Sequence, residues 1–400
     1  MSARATREEP AASARDAAWP TVQFGDVVEQ IKTSVQPEIS GLDRYVAGEH
    51  METDDLRIRR WGTIGDGYLG PAFHRAFRAG QVLYGSRRTY LRKVAVPDFA
   101  GVCANTTFVC APADERLAAE FLPFVMQLDA FHAHSISQSK GSVNPYVNWK
   151  DLAWFTFRLP SVDAQHRIAA LLTEVLAYRD AVEAAAAAAF VAAQAQFAHR
   201  WSNAADDNLV RLSDVLARSP ESGCSAPERV EVTGQFVLGL QALSAEGYVP
   251  DQFKNVDPSD RMTAALLRKG DLLISRSNTI DRVGYVGIFD QDAENVSFPD
   301  TMMRLPVDES LAVPAFVARA LMSPQGRRHI RTVAAGTSAS MKKINRKGLT
   351  SFRLPLPSLL AQQETLAALS PVLGLVDRAR DAEASTTALV AALREQLLNP

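Results

Sequence analysis

The chain carries one pattern twice, and nothing else in it restricts the possible folds as much. Sliding it on itself by 197 places Asn148, Lys150, Leu152, Phe155, Leu159, Pro160, Ser161, Ala164, Gln165, Ala170 and Leu172 on Asn345, Lys347, Leu349, Phe352, Leu356, Pro357, Ser358, Ala361, Gln362, Ala367 and Leu369. Those are 11 identities in 25 aligned positions, and they keep an Asn, a Phe and a Leu-Pro-Ser in register. Weaker echoes lie upstream at shrinking offsets: Gly141 with Gly336 at 195, RAGQVL (78–83) with RKGDLL (268–273) at 190, and QFGDVV (23–28) with RLSDVL (211–216) at 188. Solenoid units run to roughly 20–50 residues, so a period this long is that of a whole domain. The chain reads as two copies of one module whose loops differ in length.

An apolar share of 47% over 400 residues is enough for two domains that each bury a core. Cys103, Cys110 and Cys224 are odd in number and have no CxxC spacing, which predicts a reduced, cytoplasmic protein without a disulfide framework. No apolar run approaches the roughly 18–20 residues that span a bilayer, and the opening MSARATREEPAASARD lacks the apolar centre of a signal peptide. Residues 1–18 are expected to form a disordered tail, with order beginning near Trp19.

A net charge of -2 says little about nucleic acid, so the distribution of charge matters more. Arg327, Arg328, Arg331, Lys342, Lys343, Arg346 and Lys347 follow one another with no acid between them. SRRTYLRK (86–93) and RIRR (57–60) are further basic clusters. Stripes of this kind can track a phosphate backbone, or they can be ordinary solvated surface.

Each copy opens on a strand or short helix with an Asp able to cap a turn, WPTVQFGDVVEQI and DNLVRLSDVLA. Short apolar runs between Gly, Pro, Asn and Asp then predict strands: QVLYGS, VAVPDF and GVCANTTFVCAP in the first copy, DLLISRS, GYVGIFD and FPDTMMRLPV in the second. Single helices are expected over 115–134 and 310–333. Residues 161–201 hold no Pro or Gly and are rich in Ala, Leu, Gln and Glu, so a long helix begins near Ser161 or Asp163. Ile168, Leu172, Val175 and Val182 give it an apolar stripe, and Leu366, Leu369, Leu373, Val376, Leu389, Leu393 and Leu397 give the second copy another. The expected organisation is a module at 19–160, a long helix at 161–203, a module at 204–356 and a long helix at 357–400. The fold class is α+β: two pseudo-symmetric modules whose helices pair as an antiparallel coiled coil.

Catalytic patterns are scarce. GTIGDGYLG (62–70) has no Lys and reads as a turn rather than a phosphate loop, and NPYV (144–147) lacks the second Pro of an amino-methyltransferase motif. The histidines of HAH (132–134) have no Cys or carboxylate nearby at metal-ligand spacing. A duplicated chain without a paired acid, base or nucleophile points to a binder rather than an enzyme.

GTSASMKKINRKGLTSFRLPLPSLLAQQ (336–363), its partner GSVNPYVNWKDLAWFTFRLPSVDAQHRI (141–168) and GDLLISRSN (270–278) carry a family likeness. In order and in motif they resemble the specificity subunits of type I restriction-modification systems. The resemblance implies that 19–160 and 204–356 are target-recognition domains, each reading half of a split site on double-stranded DNA. It also implies that the helices set the gap between the halves and dock two methyltransferase subunits, to which restriction subunits add in phage defence. The chain itself then performs no chemistry and binds no cofactor or metal, while S-adenosylmethionine, ATP and Mg serve its partners; no membrane is involved. Under this reading Arg87, Arg88, Tyr90, Arg92 and Lys93 of the first module, and Arg276, Asn278 and Arg282 of the second, lie on loops that could enter a groove. Lys140, Lys342, Lys343 and Arg346 would grip phosphates. The alternatives are the same kind of subunit in a methylation-only or fused nuclease-methyltransferase system, a helical scaffold that binds no DNA, and a stand-alone methyltransferase.

Overall fold

The computed structural model describes residues 19–202, 209–336 and 341–398; the expected N-terminal tail lies outside them. Two compact units emerge, one made of the residues up to 180 together with those from 383 onward, the other of residues 181–382.

In the first unit the strands Val28–Ile31, Thr107–Pro112, Val82–Gly85 and Val94–Ala95 form an antiparallel sheet in that order. A second sheet runs Gly62–Thr63, Arg44–Val46, Gly101–Ala104, Phe73–Phe77, its middle pair parallel. The run VLYG is short and largely buried because it is one of the two inner strands of the first sheet, covered on both faces. Phe24, Tyr84, Phe121, Phe124, Phe131 and Phe155 fill the core beside it.

The second unit repeats the first sheet with the order Glu221–Ser222, Met302–Leu305, Leu272–Ser275, Val286–Ile288. Its second sheet likewise contains one parallel pair, Gln235–Leu238 beside Val296–Ser297. Each unit is closed by a two-stranded ribbon joining its beginning to the segment before its long helix: Thr21–Gln23 with Thr156–Arg158, and Leu209–Arg211 with Arg353–Pro355. Each ribbon ends on a backbone hydrogen bond at a repeated phenylalanine, Phe24 N–H donating to Phe155 O and Leu212 N–H to Phe352 O, both at 2.7 Å, while the rings of Phe155 and Phe352 lie buried in the cores of their units.

The helices expected over 115–134 and 310–333 are each broken in two. The first becomes Leu122–Met126 and Asp129–Ser137, with Leu128 extended between them at ψ 141°. The second becomes Pro314–Met322 and Pro324–Val333. Here Pro324 forces Ser323 out of the helical region, and the Ser323 hydroxyl then accepts from Gly326 N at 3.1 Å to start the next helix.

The central helix runs Val162–Ser202 and the terminal helix Leu359–Leu398, of 41 and 40 residues. Ala169 and Leu172 near the start of the central helix share the first unit's core with Leu393, Leu397 and Leu398 at the end of the terminal helix. Ala193 and Phe197 near its end share the second unit's core with Leu366, Leu369 and Leu373. The helices are therefore antiparallel, and the molecule is α+β with two related modules. The apolar stripe departs from expectation at Leu389, which is 50% exposed; Thr386, Val390 and Arg394, in four-residue steps, make the buried face there. Both helices also contain an 18-residue window of mean hydropathy 1.3. Contrary to the sequence expectation, they are thus long and apolar enough to cross a bilayer by that measure alone.

Candidate nucleic-acid interface

In both units the strand that precedes the basic loop is extended by pairing with the segment before the repeated Asn. In the first, Val147 N–H donates to Ser86 O at 3.0 Å and Arg88 N–H to Pro145 O at 2.6 Å. Lys140 and Tyr146 exchange backbone hydrogen bonds of 2.8 and 2.9 Å across a turn that opens on Gly141, whose φ of 92° suits glycine. In the second, Ile344 N–H donates to Arg276 O at 3.0 Å, and Ala335 and Lys343 exchange bonds of 2.9 and 2.8 Å beside Gly336. The pairs correspond residue for residue, and the loop crossing is therefore part of the duplicated frame.

This frame brings Arg87, Arg88, Lys140 and Tyr146 together in the first unit, where Arg87 pairs across from Tyr146. Arg88 Nε donates to Asn144 Oδ1 at 2.8 Å, and Tyr90 is 53% exposed in the following turn. Arg88 and Arg92 flank that turn, both left-handed at φ 51° and 50°. In the second unit Ser277 and Asn278 pair with Lys343 and Lys342, which places Arg276, Asn278, Lys342 and Lys343 side by side. Arg87, Arg282 and Lys343 are exposed.

Other candidates are turned to internal work. Arg92 donates to Asp54 at 2.9 Å and to Asp129 at 2.7 Å, and Lys93 Nζ reaches Gly48 O at 2.5 Å. Lys140 pairs with Asp151 at 2.8 Å, and this hydrogen bond, with a second from Asn148, holds the Asp151 carboxyl below its usual range. Lys342 Nζ donates to Gly336 O and Arg346 to Ser222 Oγ at 3.2 Å. The RIRR cluster is likewise occupied: Arg57 pairs with Asp180, Arg59 with Asp55 and Arg60 with Glu52. These contacts leave fewer cations for a phosphate backbone than the sequence suggests.

Two pairs of residues do structural work that the sequence reading did not assign. Gln165, fully buried, accepts from Ala118 N at 2.7 Å and donates to Arg116 O and Pro160 O at 2.8 and 2.9 Å. Gln362 does the same with Val313 N, Leu311 O and Pro357 O at 2.9, 3.1 and 2.8 Å. Each amide staples the first turn of a long helix to its own module. His134 Nε2 meets Asp151 O and His329 Nε2 meets Gly348 O, both at 2.8 Å, each ring lying against Phe155 or Phe352.

Among the described residues no group of three or more His, Cys, Asp or Glu is placed to hold a metal ion. Burial pushes the Cys103 thiol up to about 12 and raises Cys110 as well, so neither is a ready nucleophile. His132 is 1% exposed with neither ring nitrogen hydrogen-bonded, Nε2 lying 4.0 Å from Asp54 Oδ1; burial, helped by Arg92 and Arg394, lowers it to about 3. Gly65, Gly67 and Gly70 make the 62–70 segment a chain of left-handed turns after a two-residue strand.

No family model matches the chain. A curated relative, the EcoDI specificity subunit of a type I restriction enzyme from Escherichia coli, is 26% identical over 165 residues, 41% of this chain and 36% of its own length. The match thus spans about a third of that relative. Among solved structures, a chain from a study of the assembly and conformational transition of a type I restriction-modification system has a TM-score of 0.51 at 20% identity, covering 96% of this chain and 97% of its own. The specificity subunit from M. genitalium has a TM-score of 0.50 at 12% identity, covering 97% and 98%. At these identities the likeness is one of fold: over nearly its whole length the chain shares the architecture of these two type I restriction-modification structures.

Proposed function

We propose that the chain is the DNA-specificity subunit of a type I restriction-modification complex, reading a split site with its two modules and docking two methyltransferase subunits. The observation that carries the reading is the duplicated loop frame. One backbone device, built twice, presents different side chains: Arg87, Arg88 and Tyr90 in one copy, Arg276, Asn278, Arg282 and Lys343 in the other. A constant scaffold with variable tips is what two readers of unlike half-sites require. Arginine and asparagine suit the edges of guanine and adenine, and lysine suits phosphate. Arg92 and Lys93 hold the first loop in place in this reading. The chain binds no cofactor of its own; S-adenosylmethionine, ATP and Mg belong to the methyltransferase and restriction subunits. It works in the cytoplasm, and the apolar windows of its two helices serve packing rather than a membrane.

Co-purification with the methyltransferase encoded beside it, followed by duplex binding at 50 and 200 mM salt, tests the proposal. The expected result is a stable complex whose DNA affinity falls steeply with salt, by counterion release. A stable complex without salt-sensitive DNA affinity would favour a protein scaffold instead.

A further inference from the structure

The second module's loop of residues 276–285 carries three of the side chains assigned to DNA. Its root is fixed by the pairing of Ser277 and Asn278 with Lys343 and Lys342, and its end by Ser275 N–H donating to Tyr285 O and Gly284 N–H to Ser275 O, at 2.8 and 2.7 Å. Between these points the chain turns back on itself, Arg282 N–H and Val283 N–H both donating to Thr279 O at 3.1 and 2.8 Å. The outer side of this turn rests on one residue of the helix Pro324–Val333. Arg327 Nη1 donates to Val283 O and its Nη2 to Asp281 O, both at 2.7 Å, and its guanidinium carbon lies 4.8 Å from the Tyr285 ring centroid. Gly284, left-handed at φ 79°, lets the helix come this close: a Cβ there would stand 2.5 Å from Ile330 Cγ2.

Arg327 belongs to the basic stripe that the sequence leaves open between phosphate contact and solvated surface. Its fork is already spent. Two carbonyls two residues apart and an aromatic face are matched by a planar guanidinium, whereas an ammonium can serve only one of the carbonyls well. The first module lacks this brace: 195 residues earlier stands His132, neither of whose ring nitrogens makes a hydrogen bond.

We propose that Arg327 is a positioning residue for sequence readout by the second module. By bridging Asp281 and Val283 it fixes the direction in which Asn278 and Arg282 leave the scaffold, and it does not itself touch DNA. The inference rests on the reading of the chain as a DNA-specificity subunit.

The test uses the complex with the methyltransferase and a pool of random-sequence duplexes, sequenced before and after selection. Wild type should return a split motif, and Arg282→Ala should blur one half of it, which marks the half read by the second module. Arg327→Ala and Arg327→Lys should each lower selectivity in that same half by roughly tenfold, the range of one good base contact, and leave the other half sharp. Affinity for unselected duplex should stay within twofold, because no phosphate contact is lost. If Arg327→Lys keeps full selectivity while Arg327→Ala weakens binding to every sequence alike, Arg327 is a phosphate contact and the proposal falls. Unchanged motifs in both variants would also overturn it. Should Arg327→Ala melt the second unit, the charge-preserving Arg327→Lys decides alone. A wild-type pool without a split motif would instead refute the parent reading, and the brace with it.

Discussion

Removing the buried amide of Gln362 should cost the second unit a large share of its stability. The side chain is fully buried and makes three hydrogen bonds, one accepted from Val313 N and two donated to the carbonyls of Leu311 and Pro357. An alanine there would forfeit three bonds worth about 0.5–1.5 kcal/mol each and leave the half-buried Val313 N–H unpaired; with partial relaxation we expect a loss of about 2–4 kcal/mol. Urea unfolding followed by circular dichroism would measure it, and amide exchange would localise the opening to the first turn of the terminal helix. Gln165→Ala should lose a comparable amount in the first unit, where the same three bonds recur. Gln362→Glu sharpens the case. A carboxylate facing two carbonyls is disfavoured, so its folded-state pKa is raised above the unfolded value, and the variant should gain stability relative to wild type as pH falls from 8 towards 5. A loss below about 1 kcal/mol in both alanine variants, less than a single buried unpaired group costs, would refute the staple. The repeated Gln would then have to answer to something outside the chain.

Two further outcomes follow from the first unit. His132, lowered to about 3 in the fold, stays neutral while the unfolded chain takes up a proton below about 6.5, so stability present above that pH is lost as pH falls. Between pH 6.5 and 5 the wild type should lose about 2 kcal/mol relative to His132→Leu, read by chemical denaturation at each pH; parallel curves would count against it. Arg87→Ala, on the exposed side of the loop crossing, should cost about 1–3 kcal/mol of discrimination in the half-site read by the first module and leave the other half sharp, with the melting temperature unchanged; uniform weakening across all sequences would count against a base contact.

What could be read from the sequence was what the backbone itself demands. Phe155 and Phe352 recur because each ring fills the same place in its unit's core, and Gln165 and Gln362 because each fills the same three-bond site. QVLYGS and DLLISRS were legible as strands since each is an apolar run stopped by a small or polar residue, and they became Val82–Gly85 and Leu272–Ser275. The partners of charged side chains were not legible. Arg92 meets Asp54 and Asp129, and Arg57 meets Asp180, through folding over long separations that charge alone does not encode. Helix breaks were partly written in Pro324, whose effect on Ser323 could have been foreseen, whereas the break at Leu128 has no proline to announce it. His134 and His329 stand at the offset of 195 already set by Gly141 and Gly336, yet no flanking identities drew attention to them.

The central claim is that this chain chooses the sequence that its partners modify. Mapping methylated adenines in genomic DNA, from cells expressing the neighbouring methyltransferase with and without this chain, tests it most directly. The account predicts a split motif that appears only when the chain is present. Methylation of the same motif in both cells, or no chain-dependent motif despite a stable complex with an active methyltransferase, would contradict it.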